Sequence, residues 1–369
     1  MRVCIYEPTE SAYRTKFFED FFEKQEGTII RLCKGNQEKS GNAIVNLFFR
    51  VKKVVTRCIN IAWADLYVIC AMNQDDFYIK VARILHKKII MDFYISFYDT
   101  LVLDRRVVSE NSYKAKKLTK KDRTALLLSD ITIFLNEAEA QYYCDLLKIN
   151  RNSVQYVIIP TCVKEKKRAK LHFFHDENQT MNLCWSGTYI PLQGLECILE
   201  AYALVRAQNS NIKLYIWGDS EEKWYPYMQL AEKLGIIDKI EVHNEWNVLE
   251  KWEKFIIENC DVSLGIFGDS VKAHNVISNK VIDGVAFRTP VITGWSKGLS
   301  EYFDGERDIY VVDNTPQSLA DKILELYSRR YDDICGNVDR AYTIWKSYFT
   351  QEYFNQELIK IIGKIERKQ

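Results

Sequence analysis

The chain has 369 residues, 47% hydrophobic and 27% charged, and carries a formal net charge of +1 at pH 7. This length favours two domains, and the composition is that of a globular protein with enough apolar residues to bury a core. A net charge near zero argues against a nucleic-acid-binding surface that runs along the whole chain.

Ten cysteines are scattered from Cys4 to Cys335, without a Cys-x-x-Cys pair or the Cys and His spacing of a zinc site. We therefore expect reduced thiols and no metal site. The first apolar run is shorter than that of a signal peptide, and no stretch reaches the roughly 18 uncharged apolar residues of a membrane helix. The cytoplasm is the expected location.

Short apolar runs alternate with helix-length segments from the first residues onward. The predicted strands of this part are RVCIY, TIIRLC, DLYVICA, KKIIMDFY, DITIFLN and VQYVIIP. The segments between them include RTKFFEDFFEKQ, DDFYIKVARILHK and NEAEAQYYCDLLKI, which we predict to be helices. Such alternation predicts a doubly wound α/β domain with a parallel sheet.

The alternation stops at KEKKRAKLHFFHDENQT and resumes with NLCWSGTY, which starts a second series of strands and helices. His172 and His175 lie in this interruption, but two histidines without a third ligand do not make a metal site. Two amphipathic helices end the chain. The predicted organisation is an N-terminal domain over residues 1–165, a linker over 166–180, a second domain over 181–345 and a C-terminal helix over 346–369.

Ligands of doubly wound sheets bind at the carboxyl ends of the strands, so the loops after the strands are the candidate sites. In WSGTYIPLQGLECILEAY, Gly187 and Gly194 flank a strand-to-helix loop, where a ligand anion can approach the backbone and the helix N-terminus. Gly218 and Asp219 follow the next strand, IKLYIW. In each loop the alternative is that these residues merely form tight turns.

The stretch SNKVIDGVAFRTPVITG predicts a helix that runs into a strand, with Ser278 as its N-cap. Val281, Ile282, Val285 and Ala286 share the face that packs on the sheet, and Asp283 lies off that face. One interpretation is a carboxylate that stabilises the helix N-terminus and pairs with Lys280. The other is a carboxylate that accepts hydrogen bonds from sugar hydroxyls, while the helix N-terminus and a lysine hold phosphate.

Four segments of the second half, in their order along the chain, resemble the donor half of GT-B retaining glycosyltransferases of group 1. This is a family 4-like type with paired glutamates in an E-x7-E motif. The segments are SGTYIPLQGLECILEAYALV, IKLYIWGDS, CDVSLGIFGDS and SNKVIDGVAFRTPVITG. The resemblance covers most of residues 181–350. It implies two Rossmann-like domains that face a cleft, a C-terminal helix that crosses back to the first domain, and a nucleotide diphosphate sugar as donor.

Carried over residue by residue, the resemblance implies that the ribose-binding glutamate of the motif corresponds to Asp283 and the other glutamate to Asn275. Thr188 and Gln193 stand where relatives have diphosphate-binding cations, so the positive charge would come from another loop. The predicted catalytic residues are Lys272, Lys280, Asn275 and Asp92. The predicted donor-binding residues are Gly187, Thr188, Gln193, Gly194, Gly218, Asp219, Gly268, His274, Ser278, Asn279 and Asp283.

The predicted activity is transfer of a hexosyl group to a glycan or lipid-linked acceptor, with retention, without metal and without another cofactor. Two basic runs, KAKKLTKKDR and KEKKRAK, are either solvated faces or a patch that touches an anionic membrane. Two alternatives remain open. One is a weak or inactive GT-B protein that binds a sugar nucleotide or a partner glycosyltransferase, and the other is an enzyme such as an epimerase that acts on the nucleotide sugar itself.

Overall fold

The computed structural model describes residues 1–7, 13–34, 43–169, 179–245 and 248–367. The chain divides into two compact units, of which unit 1 comprises Met1–Pro160 and Gln351–Gln369 and unit 2 comprises Thr161–Thr350. Each unit has a six-stranded parallel sheet with helices around it, so the predicted fold class is confirmed. His172 and His175 of the predicted linker lie outside the described residues.

Unit 1 has the strand order β2-β1-β3-β4-β5-β6. Its strands are β1 (Arg2–Glu7), β2 (Ile29–Lys34), β3 (Leu66–Ile69), β4 (Lys88–Asp92), β5 (Ile131–Phe134) and β6 (Tyr156–Ile158). Its helices are α1 (Tyr13–Glu23), α2 (Ala43–Trp63), α3 (Asp76–Ile84), α4 (Tyr113–Leu128), α5 (Glu137–Leu146) and α13 (Gln351–Glu366). Three of these helices begin at residues whose side chains accept a hydrogen bond from the first turn: Asp75, Ser112 and Asn136.

Unit 2 has the strand order β12-β11-β10-β7-β8-β9. Its strands are β7 (Met181–Ser186), β8 (Ile212–Trp217), β9 (Ile240–His243), β10 (Val262–Leu264), β11 (Val291–Gly294) and β12 (Tyr310–Val312). Its helices are α6 (Leu195–Gln208), α7 (Glu221–Lys233), α8 (Leu249–Asn259), α9 (Asn279–Ala286), α10 (Lys297–Ser300), α11 (Pro316–Ser328) and α12 (Tyr331–Tyr348). Short helical turns also occur at Asp99–Asp104, Arg151–Ser153, Pro191–Gln193 and Ile237–Lys239.

The division between the units falls after Pro160, a few residues before the predicted boundary at 165. The reason is that residues 161–169 make backbone hydrogen bonds within unit 2. The amide of Val163 donates to the Phe349 carbonyl at 2.9 Å, and the amide of Ala169 donates to the Phe287 carbonyl at 2.8 Å. The start of the predicted linker is therefore a packed part of unit 2.

The strand order predicts a crevice next to β7. From this strand the sheet of unit 2 continues through β8 and β9 on one side and through β10, β11 and β12 on the other. The chain thus changes direction between β7 and β10, and ligands of doubly wound sheets bind where such a reversal separates two neighbouring loops. The loops that follow these two strands, residues 187–194 and 265–278, are the ones that carry most of the predicted site.

Among the described residues, no helix has the length and apolar character needed to cross a membrane.

Candidate active site

The two loops beside the crevice touch through their backbones, and glycines make this contact possible. Gly194 has a φ of +63°, and a Cβ atom there would lie 2.2 Å from the carbonyl carbon of Phe267. A Cβ atom on Gly268 would lie 2.5 Å from the Leu192 oxygen. Because real Cβ atoms do not come this close to backbone, both positions need glycine. Gly194 was predicted to let a ligand approach the backbone, and in the structure it is the backbone of the neighbouring loop that lies against it.

Helix α9 begins at Asn279 with Ser278 as its N-cap residue, and the Ser278 side chain makes no capping hydrogen bond. The predicted face of Val281, Ile282, Val285 and Ala286 is buried. Asp283 lies off this face in the helical spacing, but it is buried as well, because every residue from Lys280 to Ala286 is buried. The helix is enclosed on all sides after its first residue, so its polar side chains are held inside unit 2.

Lys280 connects helix α9 to the loop that follows β7. Its side chain is 8% exposed, and its Nζ donates a hydrogen bond to Oε1 of Gln193 and lies 4.8 Å from the ring centroid of Trp185. A Cβ atom on Gly187 would lie 2.7 Å from this nitrogen, so the glycine leaves room for the ammonium group. Burial lowers the pKa of Lys280 to about 7, and the nearby charge of Asp283 works in the opposite direction.

Asp283 lies one turn further along α9 and is 8% exposed. Among the described residues, its Oδ1 atom has no hydrogen-bond partner. Burial raises the pKa of Asp283 to about 6, although the charges of Lys166 and Lys280 favour the ionised form. A buried carboxylate oxygen without a partner is costly, so it is either strained or kept for a ligand.

The loop between β10 and α9 is fixed by its own hydrogen bonds and by residue Asn314. The Asn275 amide donates to the Val271 carbonyl at 2.7 Å. Asn314 donates to the Gly268 carbonyl at 2.6 Å and lies 3.3 Å from Nε2 of His274. Lys272 in the same loop is 7% exposed. The predicted residues of this loop are therefore held in a defined arrangement beside the crevice.

The loop after β8 supports the loop after β7. Oδ1 of Asp219 accepts a hydrogen bond from the Tyr189 amide at 3.1 Å, and its other oxygen pairs with Lys223. A Cβ atom on Gly218 would overlap the Tyr189 hydroxyl, at 1.7 Å. Gly218 and Asp219 thus contact the loop after β7 and the start of α7. Thr188, next to Tyr189, is half-buried, and Asn279 is exposed.

Asp92 belongs to unit 1, whereas the other predicted site residues belong to unit 2. Its two carboxylate oxygens accept hydrogen bonds from the Arg14 guanidinium at 3.0 and 2.8 Å, and both side chains are almost fully buried. Arg14 also donates to the carbonyls of Ile159 and Pro160. This geometry favours a structural role for Asp92, which fastens the end of β4 to Arg14 of α1, and through Arg14 to the carbonyls just after β6.

Two residues next to the site were not among the predicted ones. Trp185 is fully buried and supports the Lys280 ammonium, and Asn314 joins the Gly268 carbonyl to His274. Asn314 comes two residues after the end of β12, so the rule that ligands meet the carboxyl ends of strands was a signal that could have found it. Trp185 lies inside a strand and gave no such signal.

Within the described part of the chain, no three His, Cys, Asp or Glu side chains come together as a group that could hold a metal ion.

Residues 180–329, which form most of unit 2, match the family model of the group 1 glycosyl transferases. A search of curated proteins found no significant match. Similar solved structures have the same two-domain fold. Sucrose-phosphate synthase of Thermosynechococcus elongatus has a TM-score of 0.72 at 12% identity, over 100% of both chains. HepE of Anabaena, solved in complex with UDP and glucose, has a TM-score of 0.67 at 11% identity, over 99% of this chain and 100% of that one.

A glycosyltransferase from Rickettsia africae has a TM-score of 0.68 at 14% identity, over 100% of this chain and 99% of that one. Together the two sheets and these similarities define a GT-B fold. Within this fold, residues 180–329 are similar to the group 1 glycosyl transferases.

Proposed function

We propose that this protein is a glycosyltransferase that moves a hexosyl group from a nucleotide diphosphate sugar to a glycan or lipid-linked acceptor, with retention at the anomeric carbon and without a bound metal. The observation that carries the proposal is the arrangement of Lys280 and Asp283 on α9, beside the loop of Gly187. HepE of Anabaena, whose fold is similar, was solved with UDP and glucose, which supports a nucleotide donor.

In the proposed reaction the bond between the anomeric carbon and the diphosphate oxygen breaks, and a bond to an acceptor hydroxyl forms as that hydroxyl loses its proton. Negative charge develops on the leaving diphosphate. Positive charge where this anion would lie comes from the N-terminus of α9, whose N-cap residue Ser278 makes no capping hydrogen bond, and from the Lys280 ammonium. The partnerless oxygen of Asp283 would accept a hydrogen bond from a ribose hydroxyl of the donor.

A weak or inactive protein that binds a sugar nucleotide is the second candidate. In the resemblance to the family, Asn275 corresponds to the first glutamate of the motif, and in the structure its amide donates to the Val271 carbonyl. Gln193, which corresponds to a diphosphate-binding cation in the same resemblance, is neutral and accepts a hydrogen bond from Lys280. Both features favour binding without efficient transfer.

The test is a panel of UDP- and GDP-sugars, with hydrolysis, transfer and binding measured separately. We expect Asp283→Ala and Lys280→Met to weaken binding about 10–100-fold, the usual effect of losing a charge-assisted hydrogen bond. Asp321→Ala and Lys213→Met change exposed charges of unit 2 and serve as matched controls that keep full binding. Binding without turnover on any acceptor would favour the second candidate, and failure to bind any nucleotide sugar would exclude both.

A further inference from the structure

Helix α2 in unit 1 exposes a stripe of large apolar side chains. Leu47, Phe48, Val51, Val55 and Ile59 are between 50% and 64% exposed. Their spacing of one, three, four and four residues places all five on one side of a helix with 3.6 residues per turn. A continuous apolar surface of this kind marks a place where a protein meets a partner or a membrane.

The opposite side of α2 fastens the helix to unit 1. Arg57 is 9% exposed, and its guanidinium lies 4.6 Å from the ring centroid of Tyr6 and 5.4 Å from that of Tyr78. Ile61, one turn further, is 1% exposed and belongs to the core. The apolar stripe therefore lies on a helix that is held in place, with its outer side in solvent.

Exposed positive charge flanks the stripe. The sequence of α2 has four cations, Arg50, Lys52, Lys53 and Arg57, and no acidic residue. On the helical wheel Lys52 borders the stripe, and both Arg50 and Lys52 are exposed. Such an arrangement lets apolar side chains enter an apolar phase while the cations stay at its polar boundary.

A second basic helix belongs to the same layer. Helix α3 packs against both α2 and α4, so the three helices lie side by side. Helix α4 has six cations and one acid, Asp122, which is fully buried and accepts hydrogen bonds from Ser96, Phe97 and Tyr98. Because the whole chain has a net charge of only +1, positive charge is concentrated on this layer of unit 1.

We propose that the α2 stripe docks unit 1 onto the surface of an anionic lipid bilayer. The five apolar side chains of the stripe enter the boundary between headgroups and acyl chains, and Arg50 and Lys52 contact lipid phosphates. The exposed lysines of α4 add attraction to the negative surface. A second copy of the chain is the poorer occupant, because it would bring two basic, acid-free helices face to face.

The inference rests on unit 1 alone and does not depend on the proposed transfer reaction. Its test is sedimentation of the full-length protein, without nucleotide sugar, with vesicles of phosphatidylcholine alone or mixed with phosphatidylglycerol. We expect binding to the mixed vesicles that is about tenfold or more tighter than to the neutral ones and that weakens with salt.

Two pairs of substitutions separate the apolar and the charged contributions. Leu47→Ser with Phe48→Ser, and Arg50→Glu with Lys52→Glu, should each weaken binding to the mixed vesicles about tenfold or more, since both remove exposed groups that meet the lipid. Ile359→Ser with Lys360→Glu on α13 is the matched control, because Ile359 is 57% exposed and Lys360 is also exposed. The control should bind as the parent does.

Equal binding of parent and α2 variants, or no binding to the mixed vesicles, would overturn the proposal. So would a dimer in analytical ultracentrifugation that dissociates in the Leu47→Ser and Phe48→Ser variant, because the stripe would then be covered by a second copy. Circular dichroism of each variant checks that the substitutions leave the fold unchanged.

Discussion

Two buried ionisable side chains on α9 set the character of the candidate site. Lys280 and Asp283 are both 8% exposed. Burial lowers the pKa of Lys280 and raises that of Asp283, so in both cases it favours the neutral form. Neither side chain finds the full set of hydrogen bonds that would offset its loss of water, and Oδ1 of Asp283 has none among the described residues. Groups of this kind reduce stability and become useful when a ligand supplies the missing partners.

The cost of Asp283 should appear in the pH dependence of stability. Its native pKa is about 6, against 3.8 for an ordinary aspartate, so between these pH values the native state binds more protons than the unfolded state. The free energy of unfolding therefore falls as the pH rises through this window and stays lowered above it. We expect Asp283→Asn to raise the free energy of unfolding at about pH 8 by about 1–3 kcal/mol, and by less at about pH 4.

Urea unfolding across this pH range measures the effect, with the exposed Asp321→Asn as a control that leaves the profile unchanged. Loss of stability in Asp283→Asn at high pH would mean that the carboxylate makes a net stabilising pair with Lys166 or Lys280. The same variant should bind nucleotide sugars less well, because an amide replaces the acceptor oxygen.

Sequence reasoning anticipated which residues of the candidate site lie close together better than it anticipated their burial. Gly187, Gln193 and Lys280 were predicted from loop position and resemblance, and the structure brings them into contact. The burial of Asp283 was not predicted, because an eight-residue helix gives no periodic sign that all its sides are covered. The ion pair between Arg14 and Asp92 could not be predicted either, since it joins residues 78 positions apart in the sequence.

At the scale of elements, the loops after β7 and β10 depend on each other. Gly194 and Gly268 allow the backbones to touch, and the Phe267 amide donates to the Gln193 carbonyl at 3.0 Å. Lys280 adds a side-chain contact from α9 to Gln193. A change in one loop should therefore displace the other and disturb the crevice between them.

Gly194→Ala tests this dependence. The variant combines a positive φ with a Cβ atom 2.2 Å from the Phe267 backbone, and we expect it to lose about 2–4 kcal/mol of stability and to bind nucleotide sugar poorly. Gly235→Ala is the matched control, because Gly235 has a φ of +70° with no atom within 4 Å of the added Cβ. It should lose only about 1 kcal/mol and keep binding.

Urea unfolding and nucleotide-sugar titration of the two variants give both quantities. Equal losses of stability in Gly194→Ala and Gly235→Ala would show that backbone conformation alone accounts for the cost and that the two loops do not press on each other.

The alternation of strands and helices could be predicted from the sequence because buried parallel strands are short continuous apolar runs, as in LYVI of β3 and ITIF of β5. Helix α2 shows the limit of such reading. Its apolar residues have helical spacing, but spacing does not reveal whether a stripe faces the core or the solvent. That distinction needs the neighbours of the helix, which only the folded chain supplies.

At the scale of the whole molecule, the chain returns to unit 1 at its end. Helix α13 follows unit 2 in sequence but belongs to unit 1. Phe354 of α13 is fully buried, with its ring centroid 5.7 Å from that of Phe17 and 5.0 Å from that of Phe18. The core of unit 1 is thus completed by a helix that follows unit 2 in the chain, and the stability of unit 1 depends on that helix.

Phe354→Ala should therefore destabilise unit 1 by about 3–5 kcal/mol, the usual cost of truncating a buried aromatic side chain. Ile359→Ala, on the exposed side of the same helix, should change stability by less than about 0.5 kcal/mol. Hydrogen exchange resolves the location of the loss. In Phe354→Ala, amide protection should fall in α1 and α13, while strands β7 and β10 of unit 2 keep theirs. Equal loss of protection in both units would show instead that the chain unfolds as a single cooperative body.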